Sequence, residues 1–180
     1  MKAFSKQGLF NTKNGKQSLI NELNVMRALN RTSHLNVLQL EGVYESDNSV
    51  YVVMELLTGG QLFHKMQQRK GHFTEEEIRQ CMEGLLKGLT HMHERRFMHR
   101  DLKPENIMLR GEEGLEPVIV DFGLGTHADL DNYLFFRCGT PGYVPPEIIA
   151  LTENNHIEPI CDIFSVGVIF HILLTRKPVF

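Results

Sequence analysis

Apolar side chains recur with two different periods along the first third of the chain. Within Ser18–Leu29 they fall three and four residues apart, which predicts one face of a helix. The runs Val37–Leu40 and Val50–Met54 are rich in β-branched residues and flank the turn cluster Glu45–Ser49, which predicts a β-hairpin. The short alternating piece Met1–Phe4 is expected to form the end of another strand.

The pattern becomes mainly helical after a break at Thr58–Gly60. Helical spacing follows over Leu62–Met66 and again over Glu75–His93. The second of these segments carries a helix-start signature, because Thr74 is followed three residues later by Glu77. We therefore expect two helices here, the second one long.

The remainder of the chain returns to short strands and ends in one helix. Strand-like pieces alternate with loops over Phe97–Phe122, and a long loop rich in glycine and proline covers Gly123–Pro146. A last apolar helix is predicted over Pro159–Leu174. Strands with one helix, a Gly-Gly break and then mostly helices predict two unequal lobes of an α+β fold.

Composition excludes several classes of function. A net charge of −3 leaves no basic excess, so we expect neither a nucleic-acid surface nor a membrane surface. The longest apolar passage, Ile163–Leu174, is interrupted and too short to span a bilayer. Cys81, Cys138 and Cys161 are odd in number and widely spaced, which argues against a disulfide framework and favours a cytoplasmic location.

The strongest chemical signal is the octapeptide HRDLKPEN at His99–Asn106. Fifteen residues after its asparagine, Asp121 opens an Asp-Phe-Gly triplet that follows an apolar strand. An aspartate and an asparagine offer the few oxygen ligands that protein-bound magnesium uses. We expect Asp101 to orient an attacking hydroxyl and accept its proton, and Lys103 to neutralise charge on a transferring phosphoryl group.

These motifs resemble those of the eukaryotic protein kinase family, serine/threonine type, over nearly all of the chain. The resemblance implies an incomplete small lobe over residues 1–57 and an incomplete large lobe over residues 58–180. It also implies ATP and Mg²⁺ as cofactors, and transfer of the γ-phosphoryl group to serine or threonine hydroxyls of protein substrates. The GTPGYVPPE segment leans toward the calcium/calmodulin-dependent kinase group, which implies a possible calcium-linked regulation.

The resemblance also assigns site residues. Lys2 and Glu22 would form an ion pair that aims the lysine at the α- and β-phosphates. The catalytic set that it implies is Asp101, Lys103 and Thr140, and the metal set is Asn106 and Asp121. The nucleotide-binding set is Lys2, Glu22, Met54, Glu55, Leu57, Gln61, Glu105 and Met108.

Two site positions bear on substrate preference. In the family, Glu105 matches a position that favours basic residues upstream of the phosphorylated hydroxyl. Gln61 stands where many kinases of basic preference place a second glutamate. The resemblance therefore implies only a mild preference for arginine.

The activation segment departs from the family in its phosphorylation site. Arg100 is typical of kinases whose basic pocket binds a phosphothreonine, but Phe136 occupies the usual phosphorylated position. Our hypothesis is that Asp129 or Asp131 stands in for the phosphate, or that packing of Phe135 and Phe136 orders the loop.

Two packing expectations also follow from the resemblance. Leu40, Met26, Phe122 and His99 would stack as an apolar spine between the lobes. Glu147 would be a buried carboxylate whose arginine partner is expected beyond residue 180, and such a loss costs about 3–5 kcal/mol.

No G-x-G-x-x-G loop occurs in the sequence, so we expect the chain alone to be weakly active or inactive. Two hypotheses remain open. The chain is a fragment of a competent magnesium- and ATP-dependent kinase, or it is a catalytically inert, truncated kinase-like module that acts by protein binding. Retention of Asp101 and Asp121 favours the first hypothesis.

Overall fold

The computed structural model describes residues 1–11, 14–130, 132–152 and 156–180. Its strands are β1 (Lys2–Ser5), β2 (Leu40–Glu45), β3 (Ser49–Met54), β4 (Phe97–Met98), β5 (Ile107–Leu109), β6 (Pro117–Ile119) and β7 (Thr126–His127). Its α-helices are α1 (Lys6–Asn11), α2 (Gly15–Leu29), α3 (Leu62–Gln68), α4 (Glu75–His93), α5 (Pro146–Ile149) and α6 (Cys161–Thr175), and a 3₁₀ turn covers Pro104–Asn106. Helices and small antiparallel sheets together confirm the predicted α+β class.

The first part of the chain forms an antiparallel sheet in the order β1-β3-β2, covered by α2. In this register Lys2 lies opposite Val52 on the central strand. Val52 is buried in one apolar cluster with Leu19 and Leu23 of α2. The helix predicted from the three- and four-residue spacing is confirmed, and its buried face holds it against the sheet that carries Lys2.

The hairpin is confirmed, but its first strand lies later than predicted. The strand begins at Leu40, whereas Val37 and Leu38 precede it and are buried. Val37 forms a parallel bridge with Ile119, and the Leu38 N–H donates to the Ile119 carbonyl at 3.0 Å. The apolar residues at this point are buried against β6, and they do not form part of the hairpin.

Helix α4 has the bounds that its sequence predicts, and its start is capped on both sides. The Thr74 hydroxyl accepts the Glu77 N–H at 3.2 Å, and the Glu77 carboxylate accepts the Thr74 N–H at 2.7 Å. Gly88 lets the helix approach the chain before β2, because a Cβ there would lie 2.7 Å from the Asn36 carbonyl oxygen. The cap and the close approach together fix the helix that precedes β4 and the HRDLKPEN segment.

One continuous apolar core joins the two parts of the chain. It contains Met26 of α2, Leu85 of α4, Phe122 and Ile169 of α6, all almost fully buried. Within the described residues, no helix combines the length and apolar character needed to cross a membrane.

Among the described α-helices and strands, three short ones were not predicted: α1, β7 and the four-residue helix α5. Helix α1 lies before a segment expected to be a polar turn, of which Thr12 and Lys13 fall outside the described residues. Strand β7 lies inside the expected long loop and pairs antiparallel with β4, with Phe97 opposite His127. A two-residue pairing such as that of β4 with β7 depends on tertiary contacts, so β7 has no recognisable local pattern.

Candidate active site

A buried carboxylate on the first turn of α6 holds the start of the HRDLKPEN loop. The Asp162 side chain accepts the backbone N–H groups of His99 and Arg100, both at 2.8 Å. Its Oδ2 also lies 2.9 Å from Nε2 of His93 on α4. Asp162 is only 1% exposed, so these contacts replace the water that an ionised carboxylate would otherwise bind.

His99 connects this loop to the strand that precedes Asp121. The Asp101 N–H donates to His99 Nδ1 at 3.2 Å, so we assign the ring proton to Nε2. Nε2 then donates to the Val120 carbonyl at 2.9 Å. The His99 ring lies 5.5 Å from the Phe122 ring between centroids. The predicted spine agrees with this geometry, since Phe122 lies in the cluster that includes Met26 and contacts Leu40.

Two residues of the site have a backbone conformation that L-amino acids rarely adopt. Arg100 has φ 64° and Asp121 has φ 66°. Non-glycine residues in this region cost about 1–3 kcal/mol each and persist where the surroundings hold them in place. Asp162 supplies such a restraint for Arg100, because it binds the Arg100 N–H. Strain of this kind is found preferentially at functional sites.

The predicted catalytic residues meet around one carboxylate. Asp101 Oδ1 accepts the Thr140 hydroxyl at 2.6 Å, and Lys103 Nζ donates to that hydroxyl oxygen at 2.7 Å. Lys103 Nζ also lies 3.1 Å from Asp101 Oδ2. Asn106 Nδ2 donates to the same Oδ2 at 3.0 Å and to the Asp101 carbonyl at 2.8 Å. The structure therefore brings Asp101, Lys103, Thr140 and Asn106 together.

A cleft of about 300 Å³ lies beside this cluster. Nine of the predicted residues line it: Lys2, Met54, Glu55, Leu57, Gln61, Glu105, Asn106, Met108 and Asp121. Glu22 reaches it through Lys2, whose Nζ lies 3.1 Å from Glu22 Oε1. A larger groove of about 720 Å³, between α4 and α6, contains none of the predicted residues.

The cleft has the chemical character that an adenine nucleotide requires. Leu38, Met54 and Met108 give it apolar walls. The Leu57 N–H has no hydrogen-bond partner among the described residues. Glu105 Oε2 is the single buried side-chain oxygen or nitrogen without a partner in the described part of the chain. An adenine base fits between these apolar walls, and its polar edge and the attached ribose can bind the Leu57 N–H and Glu105 Oε2.

The same cleft also fits a magnesium ion. Asp121 contributes a carboxylate, and Asn106 contributes its amide oxygen because its Nδ2 is bound to Asp101. The described residues contain no group of three or more His, Cys, Asp or Glu side chains placed to hold a metal. Magnesium bound with a nucleotide takes only one or two protein ligands, since phosphates and water supply the others.

Arg100 does not bind an acidic side chain among the described residues. Its Nε donates to the Leu124 carbonyl at 2.9 Å and its Nη1 to the Phe135 carbonyl at 2.6 Å. Asp129 is instead bound by Arg96, with 2.9 Å from Nη2 to Oδ1. The prediction that Asp129 stands in for a phosphate at Arg100 is therefore wrong.

The other parts of the loop hypothesis have different outcomes. Asp131 lies outside the described residues. Phe136 packs against a buried apolar cluster that includes Met98 and Ile148, as the packing alternative expects. Phe135 contributes its backbone carbonyl to Arg100. Packing and backbone contacts therefore order this segment.

Glu147 differs from its predicted environment. It is exposed, in the four-residue helix α5 whose buried side chain is Ile148. Its carboxylate can therefore bind water, and the cost expected for a buried, unpaired charge does not arise.

Cys138 precedes Thr140 by two residues, and burial raises the pKa of its thiol. A raised pKa means a smaller thiolate fraction at neutral pH, and the thiolate is the reactive form. We expect iodoacetamide to react with Cys138 more slowly than with the free thiol of glutathione at pH 7.5. The labelling rate of Cys138 should continue to rise with pH after the labelling rate of glutathione has reached its plateau. Peptide mass spectrometry over a pH series measures both rates.

Cys81 is the internal control, because burial raises the pKa of its thiol to about 12. It should be the slower of the two to react. Labelling of Cys138 at the rate of a free thiol would contradict the packed environment described above.

Comparison with known proteins adds independent evidence. The family model described as "Protein kinase domain" matches residues 1–180. A probable myosin light chain kinase of Dictyostelium discoideum is 38% identical over 87% of this chain and 48% of its own length. A probable serine/threonine-protein kinase of the same organism is 38% identical over 100% of this chain and 30% of its own length. A calcium/calmodulin-dependent protein kinase type 1 of Macrobrachium nipponense is 38% identical over 93% of this chain. The chain thus spans half or less of the length of these relatives, 47% for the last of them.

Proposed function

This chain belongs to the protein kinase domain family, and we propose that it carries the catalytic centre of an ATP-dependent protein serine/threonine kinase. The observation that carries the proposal is the cluster of Asp101, Lys103, Thr140 and Asn106, the last of which also lines the nucleotide-sized cleft. A carboxylate, an ammonium group and a metal-binding amide at hydrogen-bond distance are the components that phosphoryl transfer needs.

The cleft residues would hold the nucleotide and its metal. The backbone of Glu55 and Leu57 would bind the adenine edge, and the ion pair of Lys2 with Glu22 would direct an ammonium group at the phosphates. Magnesium–ATP, when bound, supplies the γ-phosphoryl group and neutralises its charge. Asn106 and Asp121 would be the protein ligands of the metal.

Asp101 would bind the hydroxyl of the protein substrate and accept its proton. Its Oδ1 already accepts an aliphatic hydroxyl, that of Thr140, at 2.6 Å. This contact supports an aliphatic alcohol as the acceptor group, as serine and threonine provide. Lys103, at 3.1 Å from Asp101, would stabilise the negative charge that develops during transfer.

Finer properties belong to the same proposal. Glu105 is a carboxylate that lines the cleft, and it supports a preference for substrates with basic residues upstream of the hydroxyl, which Gln61 in place of a second glutamate makes mild. The relative named calcium/calmodulin-dependent protein kinase type 1 supports calcium-linked regulation. The three cysteines are unpaired, which supports a cytoplasmic location.

Binding of a non-hydrolysable ATP analogue, with and without magnesium, tests the metal assignment. We expect titration calorimetry to show tighter binding with magnesium for the unchanged chain, and a much smaller magnesium effect for Asp121→Ala, which keeps Asn106. A peptide phosphorylation assay with serine, threonine and tyrosine acceptors, run on a longer domain that includes a G-x-G-x-x-G loop, then tests the reaction, and transfer should occur to serine and threonine.

Asp47→Ala is the matched control, because Asp47 is an exposed aspartate in the turn between β2 and β3. It should retain the magnesium dependence. A magnesium effect in Asp121→Ala as large as in the unchanged chain would exclude Asp121 as a ligand. Absence of any nucleotide binding in the unchanged chain would favour the inert, protein-binding alternative.

A further inference from the structure

Glu55, whose backbone lines the cleft, has its side chain fixed from two sides. Its Oε2 accepts Nη1 of Arg110 at 2.7 Å, and its Oε1 accepts the Gln39 N–H at 3.0 Å. The Glu55 N–H in turn donates to the Gln39 carbonyl at 3.1 Å. The Glu55 side chain is 17% exposed, so water cannot readily replace these partners.

Arg110 joins this carboxylate to two other parts of the fold. It directly follows β5, whose Met108 lines the cleft. Its Nη2 donates to the Leu35 carbonyl, in the loop after α2. Its own carbonyl accepts the Thr58 N–H at 3.3 Å. One arginine, directly after β5, thus contacts both the segment that would bind adenine and the loop that follows α2.

The segment after Glu55 is packed closely against the end of β5. The Gly59 N–H donates to the Leu109 carbonyl at 3.1 Å, and the Leu109 N–H donates to the Gly60 carbonyl at 2.8 Å. A Cβ at Gly59 would lie 2.1 Å from the Gly111 carbonyl oxygen, which leaves no room for a side chain. Residues 58–60 are therefore fixed by backbone contacts of their own, whereas the Glu55 side chain depends on Arg110 and Gln39.

Most exposed ion pairs contribute little, and an ordinary surface contact would be the simple explanation for Arg110 and Glu55. Two features set this pair apart. The carboxylate is mostly buried, and the guanidinium makes contacts with two different segments, which a planar group with several donors can do. Without the guanidinium, Oε2 of Glu55 would lose its charged partner, and this mostly buried carboxylate would have to shift to bind water.

From these contacts we propose that Arg110 is a positioning residue for the adenine part of the nucleotide. It holds the Glu55 backbone and the neighbouring Leu57 N–H in the arrangement that an adenine edge requires. The inference rests on the proposed function, because it concerns the same cleft. When a binding-competent arrangement is less populated, apparent affinity falls by the same factor. The effect should therefore reach adenine and leave the metal–phosphate end of the cleft unchanged.

Two probes separate these ends in titrations of the whole chain: adenosine alone, and magnesium–tripolyphosphate. We expect Arg110→Met to weaken adenosine binding about tenfold and to change tripolyphosphate binding less than about twofold. Arg110→Lys can keep one of the two contacts, so its adenosine affinity should lie between that of Arg110→Met and that of the unchanged chain. Arg79→Met is the matched control, since Arg79 is paired with Glu76 and Glu83 on the exposed face of α4. It should bind both probes as the unchanged chain does.

The outcomes are distinct. Equal adenosine affinity in Arg110→Met and the unchanged chain would overturn the inference, and so would equal weakening of both probes, which indicates general loosening of the fold. If Arg110→Met does not fold, Arg110→Lys decides by the same comparison. Failure of the unchanged chain to bind either probe would overturn the proposed function, and this inference with it.

Discussion

In a longer kinase domain that includes a G-x-G-x-x-G loop, the Asp101→Asn variant is expected to transfer phosphate to a serine peptide about 10²- to 10⁴-fold more slowly than the same domain with Asp101. An amide has the shape of the carboxylate but cannot accept the proton of the substrate hydroxyl. It also removes the negative charge that holds Lys103 Nζ at 3.1 Å. Initial rates at saturating nucleotide and peptide measure the loss, which should appear in kcat.

Nucleotide binding does not require the Asp101 carboxylate, because the cleft is lined by other residues and Asn106 Nδ2 keeps its bond to the backbone carbonyl of residue 101. Affinity for the magnesium–nucleotide and the thermal midpoint should therefore change little in Asp101→Asn. Asp47→Asn, in an exposed turn, is the control for loss of a carboxylate and should keep full activity. A turnover for Asp101→Asn close to that of this control would remove Asp101 from the proton-accepting role.

Local sequence signals predicted the elements whose determinants are themselves local. The bounds of α4 agree with prediction because its capping box lies at the junction and its apolar spacing continues to His93. The start of β2 was misplaced because Val37 and Leu38 have the composition of a strand but are buried against Ile119, more than 80 residues later. Only the folded chain reveals that partner.

The site divides in the same way. Asp101, Lys103 and Asn106 lie within six residues of one another, so a short motif identified them together. The wrong assignment of Asp129 arose because its place in the activation segment does not decide which arginine binds it, and Arg96 does.

Distant pairs explain what sequence reasoning missed. Asp162 lies 62 residues after Arg100, and Arg110 lies 55 residues after Glu55. Neither pair has a local pattern. An acidic residue at the start of an otherwise apolar helix is the one signal that could have indicated the role of Asp162, because a buried carboxylate needs donors from elsewhere.

Removal of that carboxylate should have the largest effect on stability. Asp162→Ala leaves the buried N–H groups of His99 and Arg100 without an acceptor, and it leaves Nε2 of His93 without its partner. Each buried N–H left without an acceptor costs about 1–3 kcal/mol of the free energy of unfolding, so the two N–H groups together should cost about 2–6 kcal/mol. Urea titration followed by circular dichroism measures it. Asp162→Asn keeps one oxygen acceptor and should lose less.

The loss of stability should be greatest near Asp162, because Asp162 restrains the loop that contains Arg100, whose backbone has a left-handed conformation. Amide hydrogen exchange of His99 and Arg100 should be slow in the unchanged chain and much faster in Asp162→Ala, whereas the amides in the middle of α4 should change only with global stability. Asp129→Ala is the matched control, since it removes an exposed aspartate bound by Arg96 and should leave these amides protected. Unchanged protection of His99 and Arg100 in Asp162→Ala would mean that the loop holds its conformation without these hydrogen bonds.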